Sequence, residues 1–330
     1  MSLPALLKRF GVDPYLLLLV VSIGIAVVIP ARGAAADVVG QVSDWAIALL
    51  FFLYGARLKP SAMIGGLTNW KLQLLVFLST FVLFPLLGLG LVFALQSVLP
   101  PELLQGLLFL CLVPSTVQSS IAFTAIARGN VPAAICAATL SNMVGVFITP
   151  ALVALLLHVG GASIGPQALL DIGVQLLLPF VLGQIARPWL EGFLTKHRAR
   201  MALYDRGTVL LIVYSAFSAG VVAGVWNNTS IESLVGIAVV DVVLLAIMLA
   251  FTTYSSRVFG FAKQDEIAIV FCGTKKSIAS GIPMASALFA GHGVSLIVLP
   301  LMLFHQAQLF ACAIIAQRYA KQGHALEQKA

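Results

Sequence analysis

Lys275 and Lys276 stand side by side in I-V-F-C-G-T-K-K-S-I-A-S-G-I-P (269–283), a run otherwise made of apolar, small and hydroxyl-bearing residues. Adjacent cations in such surroundings either attract an anion or stand in for bound metal cations. Each lysine is unfavourable by roughly 2.5–3.5 kcal/mol at the centre of a membrane helix, so a pair needs a partner or a task. A second polar interruption, P-S-T-V-Q-S-S-I-A (114–122), sets Ser115, Thr116, Gln118, Ser119 and Ser120 into another apolar run. Both interruptions carry helix-weakening residues: Pro114, without an amide hydrogen, in the first, and Gly273, Gly281 and Pro283 in the second. Backbone groups freed there must find partners in an apolar medium, and Thr274, Ser277 and the hydroxyls of the first interruption can supply them or line a cavity. Kinked helices whose Ser and Thr bond their own carbonyls are the plainer alternative.

Asp241 is the one carboxylate deep in its apolar run and is expected to pair with the lysines. A buried Lys–Asp pair that merely pins two helices is the alternative, although a structural bridge has no need of two adjacent lysines. His305, with Gln306 and Gln308, forms a third polar island. A histidine there can relay protons or simply pack through a hydrogen bond.

The elements that position these residues follow from composition. Of 330 residues, 60% are hydrophobic and 9% charged, and the mean hydropathy is +1.05; soluble domains carry about 25% charged residues. Apolar runs approach or reach the roughly 20 residues that cross a bilayer. The chain is an all-α integral membrane protein with ten candidate helices, at 14–30, 42–56, 72–98, 103–127, 131–157, 167–188, 207–226, 233–256, 266–289 and 294–317. With ten spans, every basic residue outside the membrane except Arg32 falls on one side, which places both termini in the cytoplasm. The net charge of +7 is thus a topology signal and implies no nucleic acid. Lys8 and Arg9, followed by an apolar run ending at Ala34, Ala35 and Ala36, also match the layout of a secretory signal peptide. An even span count explains the charges without cleavage. Cys111, Cys136, Cys272 and Cys312 all fall inside spans, which argues against a disulfide framework.

A basic loop from Pro188 to Arg206 divides the spans five and five, and the interrupted fourth and ninth spans share Ser-Ile-Ala at Ser120 and Ser277. This predicts two repeats, 1–157 and 158–330, of opposite orientation because each has an odd number of spans. G-A-S-I-G (161–165) fits a nucleophile elbow only in letters, lying in a loop with no preceding strand. The glycosylation matches at Asn227 and Asn228 matter only in a secretory pathway. No metal-hydrolase or nucleotide motif occurs, and no nucleophile and base are placed together, which disfavours an enzyme.

The Pro-interrupted fourth span, A-R-G-N-V (127–131) and the aromatic-rich F-L-Y-G-A-R-L-K-P (52–60) resemble the bile acid:sodium symporter family, in its branch of bacterial proteins and vertebrate relatives. The resemblance covers essentially the whole chain. It implies a panel of helices 1, 2, 6 and 7, a core of helices 3–5 and 8–10, and a crossing of broken helices 4 and 9 beside ion and substrate sites. Family members that bind two sodium ions carry E-x-G-x-Q-N-S in the ninth span; here the stretch reads Phe271, Cys272, Gly273, Thr274, Lys275, Lys276, Ser277. An expected Ser-Asn pair appears as Ser119 and Ser120, two expected hydroxyl positions are Ala134 and Ala138, and Thr80 stands where Gln is common. Thr139, Ser141 and Asn142 are placed to compensate, with Ser120 and Asn142 the candidate sodium ligands.

These residues point to a secondary active transporter of a small organic anion in a bacterial inner membrane. A lysine replaces part of the sodium site, the coupling ion is sodium or a proton, and no cofactor is implied. A channel or a regulatory membrane protein that no longer transports is the alternative.

Overall fold

In lipid a backbone amide has no water to bond, so a chain this apolar must satisfy its backbone within helices. The structure, a computed structural model, describes residues 14–57, 69–157, 176–224, 230–289 and 293–327. These form α1 (Pro14–Val28), α2 (Ala34–Arg57), α3 (Trp70–Leu95), α4 (Pro101–Leu112), α5 (Gln118–Ile126), α6 (Val131–Leu156), α7 (Leu178–Lys196), α8 (Arg198–Val222), α9 (Ile231–Val258), α10 (Lys263–Gly273), α11 (Ile278–Leu288) and α12 (Val294–Glu327), with no strand among the described residues. Six of them, α2, α3, α6, α8, α9 and α12, are long and apolar enough to cross a membrane. Lys8, Arg9, the G-A-S-I-G motif, Asn227 and Asn228 lie outside the described residues.

Two expected spans are each divided. The 103–127 run forms α4 and α5 around a non-helical 113–117, and the 266–289 run forms α10 and α11 around 274–277. The basic stretch 188–206, expected as a loop, is helical apart from His197, which separates α7 from α8. A helix that leaves the membrane has no reason to unwind in water while its side chains pair along it, as Arg187 and Glu191 do at 3.1 Å.

Helices α2 and α7 pack closely, α8 lies against α1 and α2, and α8 in turn meets α11 and α12. Helices α2 and α7 meet backbone to backbone at Gly55 and Gly183, where a Cβ would sit 2.0 Å from Phe180 O and 1.9 Å from Phe52 O respectively. Separately, α4 packs on α12, α9 on α10 and α12, and α10 on α3, α5 and α6. The A-R-G-N turn between α5 and α6 fastens this second group: Arg128 takes a left-handed φ of 60°, and Gly129 passes where a Cβ would be 2.5 Å from Ile267 Cγ2. Asn130 then caps α6, accepting from Ala133 N at 3.0 Å, and donates to Asp265 Oδ1 at 2.7 Å. Behind it Glu266 gathers Arg257, Lys263 and Tyr319, joining the ends of α9, α10 and α12.

Candidate functional site

The two breaks meet. Ser277 N donates to Pro114 O at 2.9 Å, and Ser115 Oγ donates to Cys272 O at 2.7 Å. Pro114 lies against α6 at Gly145, where a Cβ would come within 2.6 Å of the proline ring. From α6, Ser141 Oγ accepts from Ser115 N at 3.0 Å, Asn142 Nδ2 donates to Ser115 O at 2.5 Å, and Thr149 Oγ1 donates to Leu112 O at 2.8 Å. The second break is held from α12. Gln308 Oε1 accepts from Lys276 N and Gln308 Nε2 donates to Lys276 O, both at 2.9 Å. His305 Nδ1 lies 2.7 Å from Gln308 Nε2 and 3.2 Å from Lys276 O. Thr274 Oγ1 turns back to Val270 O at 2.6 Å, and Ser277 caps α11 through Ser280 N at 3.3 Å.

Both lysine side chains are wholly buried, but their surroundings differ. Lys276 Nζ donates to Thr80 O at 3.0 Å, Cys111 O at 2.8 Å and Val113 O at 2.8 Å, and lies 4.1 Å from the centre of the Phe84 ring. The sequence explains why those carbonyls are free. In the π-turn Ser79–Leu83 of α3 the N–H of Phe84 bonds Ser79 O, and the next residue, Pro85, has no N–H for Thr80 O. The N–H that would bond Cys111 O in a continuous helix belongs to Ser115, which is committed to Ser141. Val113 lies just beyond the last residue of α4. Three carbonyls released by Pro85 and by the non-helical 113–117 thus surround one ammonium, as oxygens surround a dehydrated monovalent cation. Three bonds to a charged group, roughly 1.5–3 kcal/mol each, outweigh the roughly 2.5–3.5 kcal/mol penalty of a lysine at the centre of a membrane helix.

Lys275 Nζ has no hydrogen-bond partner. It lies 3.9 Å from the centre of the Phe123 ring and 5.6 Å from that of Phe271. Such contacts supply about 0.5–2 kcal/mol each and do not replace three hydrogen bonds. One turn before Phe123, Ser119 Oγ and Ser120 Oγ lie 2.7 Å and 3.2 Å from Thr116 Oγ1.

Asp241 does not join the lysines. It is 1% exposed, neither carboxylate oxygen has a hydrogen-bond partner, and no ion pair links it to Lys275 or Lys276 among the described residues. Lys276 has already given its three protons to carbonyls. Helix α9 passes the second break at Thr252, whose Cγ2 is 3.2 Å from where a Cβ on Gly273 would be; Asp241 lies eleven residues earlier on that helix, an electrostatic neighbour of Cys111 but not a hydrogen-bond partner of either lysine. Of two further candidates, Gln118 is exposed and Thr139 half-buried, and among the described residues neither makes a side-chain hydrogen bond to the breaks. Ser120 and Asn142 are not bonded to each other, and the donor end of Asn142 is engaged by Ser115 O and Ala138 O. Gln308 is legible in the sequence only as part of the polar island around His305 and Gln306, and its bonds to the backbone of Lys276 are not. The carbonyl of Thr80 was signalled only by Pro85, five residues on.

The family model of the SBF-like CPA transporter family matches residues 13–321. Similar proteins include "Uncharacterized protein PA2026" of Pseudomonas aeruginosa, 50% identical over 314 residues, which are 95% of this chain and 94% of the relative. "Putative symporter YfeH" of Escherichia coli is 45% identical over 322 residues, 97% of each chain. "Sodium/bile acid cotransporter 7" of Rattus norvegicus is 30% identical over 324 residues, 94% of this chain and 93% of the relative. Transport across a membrane, not catalysis, is the activity that the names symporter and cotransporter describe. With the match running from before α1 into α12, the chain belongs to the SBF-like CPA transporter family.

Proposed function

We propose that the protein is a secondary active transporter of a small organic anion, and that Lys276 occupies the place of a coupling cation. The observation that carries this reading is the meeting of the two helix breaks around two buried lysines, with the Lys276 ammonium held by three backbone carbonyls. A tethered cation in an oxygen cage does electrostatically what a bound sodium ion would do, without requiring sodium. The net positive charge it leaves in a low-dielectric crossing favours an anion and repels a cation. The name of the rat relative suggests a bile acid as the first anion to try.

The proposed architecture has ten spans in two inverted repeats of five, 1–157 and 158–330, with α4 and α5 forming the fourth span and α10 and α11 the ninth. Supporting this, each break is held by the long helix that follows it: Ser141 and Asn142 of α6 for the first, Gln308 of α12 for the second. In this reading α1, α2, α7 and α8 are the panel and the remaining helices the core, both termini are cytoplasmic, and the membrane is a bacterial inner membrane. Motion of one group against the other would open the crossing alternately to each side. The test is uptake of radiolabelled bile acid and of a panel of organic carboxylates and sulfonates into proteoliposomes. Saturable uptake above protein-free vesicles supports transport, and its absence across the panel, under imposed sodium and proton gradients alike, refutes it.

A further inference from the structure

Adjacent in sequence, Lys275 and Lys276 are unlike in environment, and a carrier with two buried amines at one crossing has use for two different kinds. All three protons of the Lys276 ammonium are bonded to carbonyl oxygens, which leaves the neutral amine with nothing to gain there. Lys275 is equally buried, has no acceptor for any proton, and faces two aromatic rings. A buried charge with no hydrogen-bonded partner is resolved by neutralisation or by a ligand. We infer that Lys275 is a proton-exchange site, neutral in the closed arrangement seen here and protonated when the crossing opens, while Lys276 is a fixed cation. This deepens the transport reading and rests on it for its role in the cycle. The step is a proton transfer only: an ammonium proton of Lys275 passes to water on one side of the membrane and a proton returns to the amine from the other.

The ionisable groups around Lys275 are few. Its electrostatic neighbours are Cys272, near the end of α10, and Cys312 of α12. Tyr319 of α12 lies behind the Phe271 ring, 6.3 Å between ring centres, and leads to Glu266, Arg257 and Lys263 at the helix ends. Helix α5 contributes Phe123 and no ionisable residue, α6 carries Cys136, α3 carries Lys71 exposed at its start, and Asp241 of α9 lies beyond Thr252. Among the described residues, no carboxylate forms an ion pair with Lys275 that would hold it charged.

The experiment is solid-state NMR of lysine 15Nζ on the full-length protein in proteoliposomes, from about pH 5 to about pH 10, since amine and ammonium nitrogens resonate apart. Lys275→Arg and Lys276→Arg assign the two buried resonances by their loss; if one variant fails to fold, the other assigns both. The expected result is that the Lys275 resonance passes from ammonium to amine within this range while that of Lys276 stays ammonium throughout. A Lys275 resonance that stays ammonium to the alkaline end, or a Lys276 resonance that titrates with or before it, overturns the assignment. Anion uptake measured on the same vesicles separates the two readings: a titrating Lys275 in a protein that moves no anion refutes transport and leaves the proton site standing.

Discussion

Gln308 of α12 bonds both main-chain groups of Lys276, the N–H through Oε1 and the C=O through Nε2, each at 2.9 Å. One side chain thus replaces the two helical bonds lost at the second break. Gln308→Leu leaves Lys276 N unpaired and Lys276 O with only His305 Nδ1, 3.2 Å away, and is expected to destabilise the protein by roughly 1–3 kcal/mol. Thermal unfolding in detergent measures it, and an unchanged midpoint would show that the break does not depend on α12.

The two lysines are predicted to differ in stability as well as in charge. Lys276→Met orphans three carbonyls and is expected to destabilise by roughly 2–5 kcal/mol, whereas Lys275→Met removes no hydrogen bond and is expected to fall within about 1 kcal/mol of the parent or above it. Equal losses from the two substitutions in the same melting assay would contradict the distinct roles assigned to them.

Asp241 keeps two unpartnered carboxylate oxygens inside α9's packed face. Replacing it with leucine exchanges an unsatisfied polar group for a larger apolar one with the same number of heavy atoms. Asp241→Leu is therefore expected to raise stability by about 1–3 kcal/mol. A clear loss would mean that the carboxyl has a partner in the membrane-embedded protein.

Sodium is expected to stabilise the protein no more than potassium or choline at equal ionic strength, because the Lys276 ammonium already fills the carbonyl cage. A selective site would reveal itself by mass action, about 2.7 kcal/mol at one hundred times its dissociation constant. A melting shift specific to sodium, abolished by Asn142→Ala or Ser120→Ala, would establish a sodium site beside the lysines.

Much of the site was legible because prolines and glycines announce broken backbone and lysines are conspicuous in apolar runs. Pro114, Gly273 and the pair at Lys275 and Lys276 placed the crossing. The partners were not legible, for a physical reason: the acceptors of Lys276 are main-chain carbonyls, which every residue possesses, and only Pro85 and the engagement of Ser115 by Ser141 decide which are free. Asp241 misled because charge complementarity in sequence carries no distance; its place on α9 depends on how that helix crosses α10. The stretch from Pro188 to Arg206 misled in the opposite way, since charge marks exit from the membrane and not the end of a helix.

The central claim, that buried lysine charge at the crossing serves anion transport without sodium, is tested most directly by tracer uptake into proteoliposomes with sodium or choline outside. The tracers are the radiolabelled bile acid and the organic-anion panel, and the variants are Lys275→Gln and Lys276→Gln beside the parent. The account predicts saturable uptake of at least one anion by the parent in both media, lost in folded Lys275→Gln. Normal uptake by both variants, or uptake by the parent that strictly requires sodium, would contradict it.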